Sequence, residues 1–260
     1  MSYRVTRAMV ALTINRTFDS VLVGGRPLMS KVENVVAVTC LELEAYIARG
    51  PRVSVICNQG TELKTALAAA VTGASGIISF GIAGGLAPDL RAGDWVVASE
   101  VKGPDRVVTT DRAWSHRLLE ALPGAVHGCV IGAQRVIATP QEKASLFSQT
   151  GAAAVDMESH IAAEIATAHR IPFAACRVIL DSAYRVVPPA AVAGLRADGT
   201  PNISAVIRSA LKMPNQLPDL IRTAFDAYIA ARALSIGRQR LNVGLEFPHF
   251  NDIALDFVAA

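Results

Sequence analysis

The chain has 260 residues, of which 52% are hydrophobic and 18% are charged, and this composition excludes an intrinsically disordered protein. The net charge of +3 is spread along the chain and only 5% of the residues are aromatic. A nucleic-acid-binding protein clusters its cations and stacks aromatic rings on bases, so no nucleic-acid partner is expected.

The cysteines are few and widely separated, without a C-x-x-C pair: Cys40, Cys57, Cys129 and Cys176. This spacing predicts free thiols in a cytoplasmic protein rather than a disulfide framework or a zinc site. The N-terminal apolar run is interrupted by Arg16 and is not expected to act as a signal peptide. The long uncharged stretch 65–88 contains five glycines, so it is predicted to divide into a helix and a strand rather than to span a membrane.

Apolar runs of strand length alternate with helical patterns along the chain. In chain order the predicted elements are strands 34–40 and 52–57, helix 61–71, strands 76–80 and 94–101, helix 111–122, strand 129–131, a helix from Pro140, strand 153–157, helix 158–169, strand 172–180, and helices 202–212 and 217–233. Strands that are apolar on both faces and separated by helices predict an α/β fold. We expect a three-layer α/β/α sandwich with a mixed central sheet.

No linker or repeat divides the chain, so one domain is predicted over 1–260, with its core at about 34–235. Residues 1–30 and 237–260 show no clear pattern and are expected at the periphery.

Polar residues and glycines follow several of the predicted strands. Glu42 and Glu44 come after the first strand, 81–85 (GIAGG) after the third, Asp156–Met157–Glu158 after a later one, and Asp181 after the last. Because ligands of open α/β sheets bind outside the carboxyl ends of the strands, these residues predict a catalytic pocket. The glycines match neither G-x-G-x-x-G nor a P-loop, which disfavours a dinucleotide site.

Each of these groups has a chemical and a structural interpretation. Glu158 begins a helix, where the helix dipole favours an ionised carboxylate that accepts two sugar hydroxyls; otherwise it is a plain helix-start acid. Asp181 follows an apolar run, so burial is expected to raise its pKa and allow proton donation, unless it is a helix cap. Arg177 lies in the same run and requires an anionic partner, for which Glu158 and Asp181 are the candidates.

Three segments together resemble the nucleoside phosphorylase and methylthioadenosine nucleosidase superfamily, in the family's order: ISFGIAGGLAPDLRAGDWVV, AAVDMESHIAAEIA and FAACRVILDSA. Their counterparts there are a G-x-A-G-G loop, a V-E-M-E segment and an R-x-x-S-D segment, and the resemblance covers 35–229. Two further segments, PDRVVTTDRAWSHRLLEALPGAVHG and PPAAVAGLRADG, resemble the hopanoid-associated phosphorylase branch. That branch is thought to remove adenine from adenosylhopane, a lipid-linked nucleoside.

The resemblance implies a nucleoside phosphorylase-like fold and a role for each site residue. Asp181 would protonate N7 of the departing purine, Glu44 would activate water, Glu158 would bind the ribose hydroxyls, and Met157 would pack against the sugar. The candidate residues are Asp181 and Glu44 for catalysis and, for substrate binding, Ala83, Gly84, Val136, Asp156, Met157, Glu158 and Arg177. No metal or cofactor is implied, and inorganic phosphate is the one candidate co-substrate.

The chain departs from the family pattern at several of these positions. Ile82 replaces a small hydroxyl residue, Leu180 replaces the serine before the catalytic aspartate, and Val136 stands where nucleosidases stack a phenylalanine on the base. Glu44 favours hydrolysis, whereas the branch resemblance favours phosphorolysis, and both stay open at this point. A methylthioadenosine/adenosylhomocysteine nucleosidase and a non-catalytic purine-binding module are the alternative functions.

The segment 183–195 (AYRVVPPAAVAGL) is apolar and proline-rich and directly follows Asp181. It is either a buried connection or an apolar lip that accepts a lipid body, with peripheral contact to the inner membrane. The resemblance also implies a homodimer.

Overall fold

The computed structural model describes residues 34–194, 200 and 202–248. The elements are, in order, β1 (Val35–Thr39), α1 (Glu42–Ala48), β2 (Val53–Cys57), α2 (Gly60–Ala70), β3 (Gly76–Gly85), β4 (Trp95–Lys102), β5 (Val107–Thr109), α3 (Arg112–Ala121), β6 (Val126–Gly132), α4 (Pro140–Thr150), β7 (Ala154–Asp156), α5 (Ser159–His169), β8 (Phe173–Asp181), α6 (Pro189–Ala193), α7 (Ile203–Lys212), a 3₁₀ turn (Pro214–Gln216) and α8 (Leu217–Arg240). They belong to one compact unit. The prediction of a single domain also covers residues outside this description and stays a prediction.

The eight strands of the described residues form one mixed sheet. β1 pairs in parallel with β2 and β3, and β3 pairs in parallel with β8, whereas β4 is antiparallel to both β5 and β8. β7 pairs with β3 and β6, and β6 pairs with β4, so β3, β8, β4, β6 and β7 close into a ring. The mixed α/β fold is confirmed, and the ring closure adds pairings that apolar runs alone do not specify.

Helices cover both faces of this sheet. On one face α2 and α5 pack through Leu63, Leu67 and Ile161, whereas on the other α3 and α8 pack through Leu118 and Leu234. Burying both faces of the strands explains their continuous apolar runs, because neither face meets water. The predicted three-layer arrangement is therefore confirmed.

The core continues beyond residue 235, where the sequence pattern fades. α8 extends to Arg240, and the segment after it buries Leu241, Leu245 and Phe247. The indole Nε1 of Trp114 donates to the carbonyl of Leu245 at 2.7 Å, and the Trp114 and Phe247 rings pack edge to face with centroids 4.8 Å apart. These residues complete the core on the α3–α8 face.

The uncharged stretch 65–88 divides between the end of α2 and β3, as predicted. Among the described helices, none is both long and apolar enough to cross a bilayer. The four cysteines are free thiols.

Candidate active site

A cleft opens where β3, β7 and β8 end, with an empty volume of about 680 Å³. Seven of the nine predicted site residues line it: Ala83, Gly84, Val136, Asp156, Met157, Glu158 and Asp181. The other two, Glu44 and Arg177, are fully buried and lie behind the lining residues. The cleft also contains residues that sequence reasoning gave no binding role, among them Arg135, Ile137 and Val187.

The glycine segment continues β3 to Gly85 instead of forming a loop after Phe80. Its pairing with β8 shifts register between Ala83 and Gly84, which places Gly84 opposite Asp181. A Cβ atom on Gly84 would lie 3.6 Å from Oδ2 of Asp181. The glycine therefore leaves the space beside this carboxyl group open to a ligand.

Asp181 ends β8 with only 7% of its surface exposed, and burial raises the pKa of its carboxyl group, as predicted. The fully buried Lys143 of α4 opposes this rise, because its ammonium donates a hydrogen bond to Asp181 Oδ2. The same ammonium donates to the carbonyls of Ser182 at 2.9 Å and Arg185 at 3.0 Å. Asp181 and Lys143 therefore form a buried ion pair at the cleft.

Sequence reasoning missed Lys143, although a local signal for its orientation exists. Thr139 and Glu142 form a capping box at the start of α4, with Glu142 at the third helical position. Lys143 follows at the fourth position, which in such helix starts faces inward and normally carries an apolar residue. A lysine at that position indicates a buried partner, but only the fold shows that the partner is Asp181.

Arg177 lies beneath the cleft in the middle of β8 and is engaged by neighbouring acids and hydroxyls. Its Nε is 2.6 Å from Asp156 Oδ2, and its Nη2 is 3.8 Å from Glu158 Oε2. The guanidinium also donates to Ser79 Oγ and to Ser159 Oγ. Of its two predicted partners, Glu158 is confirmed, whereas Asp181 is wrong because Lys143 pairs with that carboxylate.

Glu158 is the N-cap residue of α5, although its side chain makes no capping hydrogen bond; it is 2% exposed, and its Oε1 has no donor among the described residues. Burial raises the pKa of this carboxyl group to about 7, and the neighbouring Asp156 and Glu44 add to the rise while Arg177 opposes it. Burial therefore opposes the ionisation that the helix dipole favours, and the expectation of an ionised acid at this position stays a prediction. An unpaired buried oxygen at the cleft suits a ligand that brings hydroxyl donors.

Glu44 lies in the first turn of α1 and is held by backbone amides. Its Oε2 accepts hydrogen bonds from the amides of Cys40 at 2.7 Å and Leu41 at 2.8 Å, and its Oε1 accepts one from Ile82 at 2.7 Å. A Cβ atom on Gly81 would lie 2.6 Å from Oε1, so this position requires glycine. Because Oε2 already has two donors, only Oε1 has a lone pair left for a further donor such as water.

Apart from its carboxylates, the lining of the cleft is mostly apolar. Ile82, Leu180 and Val136, the positions where the chain departs from the family pattern, all line the cleft. The one cationic side chain on the described wall is Arg135, which is exposed and paired with Glu142 at 2.7 Å. Within the described residues, no cluster of three or more His, Cys, Asp or Glu side chains is arranged to hold a metal ion.

Comparisons with solved structures place this fold beside nucleosidases. The methylthioadenosine/S-adenosylhomocysteine nucleosidase of Helicobacter pylori matches with a TM-score of 0.55 and 14% identity over 80% of this chain and 99% of that one. The corresponding enzyme of Neisseria meningitidis matches with a TM-score of 0.57 and 16% identity over 79% and 97% of the two chains. A futalosine hydrolase of Helicobacter pylori matches with a TM-score of 0.55 and 13% identity over 80% and 100%.

A search of the curated proteins finds no match. The family model described as the phosphorylase superfamily matches residues 45–212, which is more than half of the chain. This stretch contains most of the cleft, including the Asp156–Glu158 segment and the Lys143–Asp181 pair. The chain therefore belongs to the phosphorylase superfamily.

Proposed function

We propose that this protein hydrolyses the N-glycosidic bond of a 5′-substituted adenosine and releases adenine, with adenosylhopane as the substrate. The observation that carries the proposal is the cleft itself, where Asp156, Glu158 and Asp181 meet beside Gly84, with Glu44 directly behind. The resemblance to the hopanoid-associated branch supports the choice of substrate.

The reaction requires two kinds of group, and the cleft offers both. Cleavage produces an oxocarbenium-like sugar, so the leaving base needs a proton and the developing cation needs nearby negative charge. Asp181, whose pKa burial raises, would give the proton to N7 of adenine beside the open space at Gly84. Glu158 would accept the ribose hydroxyls on its unpaired Oε1.

The charges around the cleft favour water over phosphate as the nucleophile. A phosphate dianion needs unpaired cations, usually arginines that bind it in a bidentate manner. Among the described residues, Arg177 pairs with Asp156 and Arg135 with Glu142, and Lys143 uses all three of its N–H donors within the protein. Glu44 would use the free lone pair of Oε1 to activate a water molecule. We therefore expect release of adenine without phosphate.

A lipid-linked substrate also needs a way to reach the cleft, and an exposed apolar face lies on α7 and α8. We define the α7–α8 apolar face by residues that are 45% to 78% exposed: Ile207, Leu211, Leu217, Ile221, Phe225 and Tyr228. The α8 members follow one another at spacings of four, four and three, which places them on one helix side. Arg208, Lys212 and Arg222 flank them.

An apolar helix side flanked by cations fits an anionic bilayer surface, in which rings and aliphatic chains enter the headgroup region. The cleft residue Val187 lies two residues before α6, and α6 packs on α7, which links the cleft lining to the helix pair that carries this face. We propose that the α7–α8 apolar face rests on the membrane while the nucleoside head enters the cleft.

The test of the reaction is the release of free adenine from adenosylhopane, with and without phosphate, beside methylthioadenosine as a second substrate. We expect phosphate-independent release from the lipid, and loss of most of that activity in Asp181→Asn but not in the exposed control Asp89→Asn. Strict dependence on phosphate would overturn hydrolysis. Turnover of methylthioadenosine alone would make the protein a salvage nucleosidase, and purine binding without any release would make it a binding module.

The test of the membrane contact is sedimentation with vesicles of phosphatidylglycerol and phosphatidylcholine. Wild type should bind the anionic vesicles, and Leu211→Glu/Phe225→Glu should not, while Val107→Glu, at another exposed apolar residue, should leave binding unchanged. We also expect a homodimer, measured by analytical ultracentrifugation. A dimer that dissociates in the double variant would show that a second copy covers this face and would overturn the membrane contact.

A further inference from the structure

Lys143 is an unusual residue for its place in the fold. It lies in the first turn of α4, where the positive end of the helix dipole disfavours a cation, and none of its surface is exposed. Burying an ammonium group is costly unless it is paired and hydrogen-bonded. A lysine in this position therefore has to be stabilised by the group that it contacts, and that group is the Asp181 carboxylate of the cleft.

The contacts of the ammonium group determine how it can act. It has three N–H donors, and these meet Asp181 Oδ2, the carbonyl of Ser182 and the carbonyl of Arg185. No donor is left for a substrate, so Lys143 can influence the reaction only through Asp181. Oδ2 accepts a hydrogen bond from Lys143, so in the proposed reaction Oδ1 is the oxygen that carries the proton to the base.

We propose that Lys143 is a positioning residue that fixes the plane of the Asp181 carboxyl group and sets the upper pH limit of base release. The inference rests on the proposed function, in which Asp181 donates the proton to the departing purine. Lys143 holds one oxygen at a fixed place, so the other is presented to N7 in one orientation. The cation also stabilises the ionised carboxylate and thereby makes Asp181 the stronger acid.

Other charged groups surround Asp181 and contribute to the same balance. Asp226 of α8 raises the pKa of Asp181, but its own charge is partly compensated by Arg185, whose Nε is 3.3 Å away. Asp156 and Glu158 line the same cleft. Lys143 is the one cation in direct contact with Asp181 among the described residues, so removing its charge leaves burial and Asp226 to raise the pKa of Asp181 further.

The experiment compares the pH profiles of adenine release for wild type, Lys143→Met and Lys143→Arg. In Lys143→Met we expect kcat to fall about tenfold or more, because the carboxyl group is no longer fixed. The basic limb of the profile should move to higher pH by about one unit or more, because Asp181 keeps its proton longer. Lys143→Arg keeps the charge and should leave the basic limb near that of wild type. Lys102→Met, a half-buried lysine of β4, is the control.

Several outcomes would overturn the inference. An equal loss at every pH in Lys143→Met would show a merely structural lysine, and a basic limb that moves to lower pH would show that Lys143 itself carries the donated proton. A wild type that releases no adenine would instead overturn the proposed function. In that case the Lys143–Asp181 pair is tested by the thermal stability of Asp181→Asn, a measurement that does not depend on enzymatic activity.

In Asp181→Asn the buried ammonium of Lys143 loses its counter-charge, and an unpaired buried charge is strongly destabilising. The melting temperature of Asp181→Asn should therefore fall below that of wild type and below that of the exposed control Asp89→Asn. This measurement also tests the pair if Lys143→Met does not fold. Equal melting temperatures in Asp181→Asn and Asp89→Asn would contradict a charged Lys143 in contact with Asp181.

Discussion

Glu158 combines deep burial with an unpaired carboxylate oxygen at the cleft. Its pKa of about 7 lies above the ordinary value of 4.5, so the folded protein resists ionising this group. The unfolded chain loses the proton first as pH rises, so this group lowers the stability of the fold progressively from about pH 4.5 to pH 7, and the loss remains at higher pH. Burial is the main cause of the raised pKa, and Oε1 has no donor among the described residues.

For this residue we predict that Glu158→Gln lowers kcat/KM for adenine release about tenfold to a hundredfold, because a charged acceptor for the ribose hydroxyls is lost. The acid limb of the wild-type profile, near pH 7, should also disappear. Glu164→Gln, on the same helix but paired with Lys64 at the surface, is the matched control and should leave the profile unchanged. An acid limb that survives in Glu158→Gln would assign the titration to another group.

The residues of the cleft differ in how far the sequence alone predicts their place. Asp181, Glu158 and Gly84 follow strands in the sequence, and the general rule about strand ends was enough to predict that they share one cleft. Lys143 and the amides that hold Glu44 were not predictable in the same way. Their roles depend on which strands and helices become neighbours across 38 residues in each case, from Lys143 to Asp181 and from Glu44 to Ile82.

At the scale of elements, α8 packs on β4 through a glycine. A Cβ atom on Gly237 would overlap the indole ring of Trp95, which also contacts Phe80 with centroids 6.1 Å apart. The glycine allows the helix backbone to approach the ring directly. It also explains why the helical pattern faded for sequence reasoning at this residue, since glycine normally weakens a helix and α8 nevertheless continues to Arg240.

We predict that Gly237→Ala destabilises the protein by about 1 to 3 kcal/mol in urea denaturation, although the better helix former alone would add about 1 kcal/mol of stability. The cost arises because the new methyl group forces α8 away from Trp95. In the double variant Gly237→Ala/Trp95→Phe the smaller ring should recover part of this loss relative to Trp95→Phe alone. A stabilised Gly237→Ala would show that the helix has room at this point.

Helix and strand positions were predicted well where long apolar or amphipathic runs exist, as in β8 and α5. Three short elements were not predicted, namely α1 with seven residues, β5 with three and α6 with five, because segments of this length show no clear period. The glycine run of β3 was predicted as a loop, since glycines favour turns. Tertiary pairing with β7 and β8 overrode that local preference.

At the scale of the whole molecule, the core on the α3–α8 face depends on residues near the end of the described chain. Phe247 is 5% exposed and packs against Trp114 and over Gly76. It joins the start of β3 to α3 from a segment that no sequence pattern marked as structural. The hydrophobic core is therefore completed by residues that lie outside the region in which hydrophobic periodicity predicts helices and strands.

We predict that Phe247→Ala lowers the free energy of unfolding by about 3 to 5 kcal/mol, because a buried ring leaves a cavity beside Trp114. Phe225→Ala, at an exposed ring of α8, should change it by no more than about 0.5 kcal/mol. Chemical denaturation followed by Trp fluorescence measures both. Equal, small effects in the two variants would mean that the segment after α8 contributes little to folding.

The three backbone amides that bind the Glu44 carboxylate make a substitution at this position a structural change as well as a chemical one. A glutamine at position 44 has one acceptor oxygen and an amide group that would point its own hydrogens at a backbone donor. The Glu44→Gln substitution would therefore weaken the contact between α1 and β3 as well as remove the proposed base. Loss of activity in Glu44→Gln is evidence for water activation only when its unfolding curve matches that of wild type, because the same carboxylate holds three backbone amides of the fold.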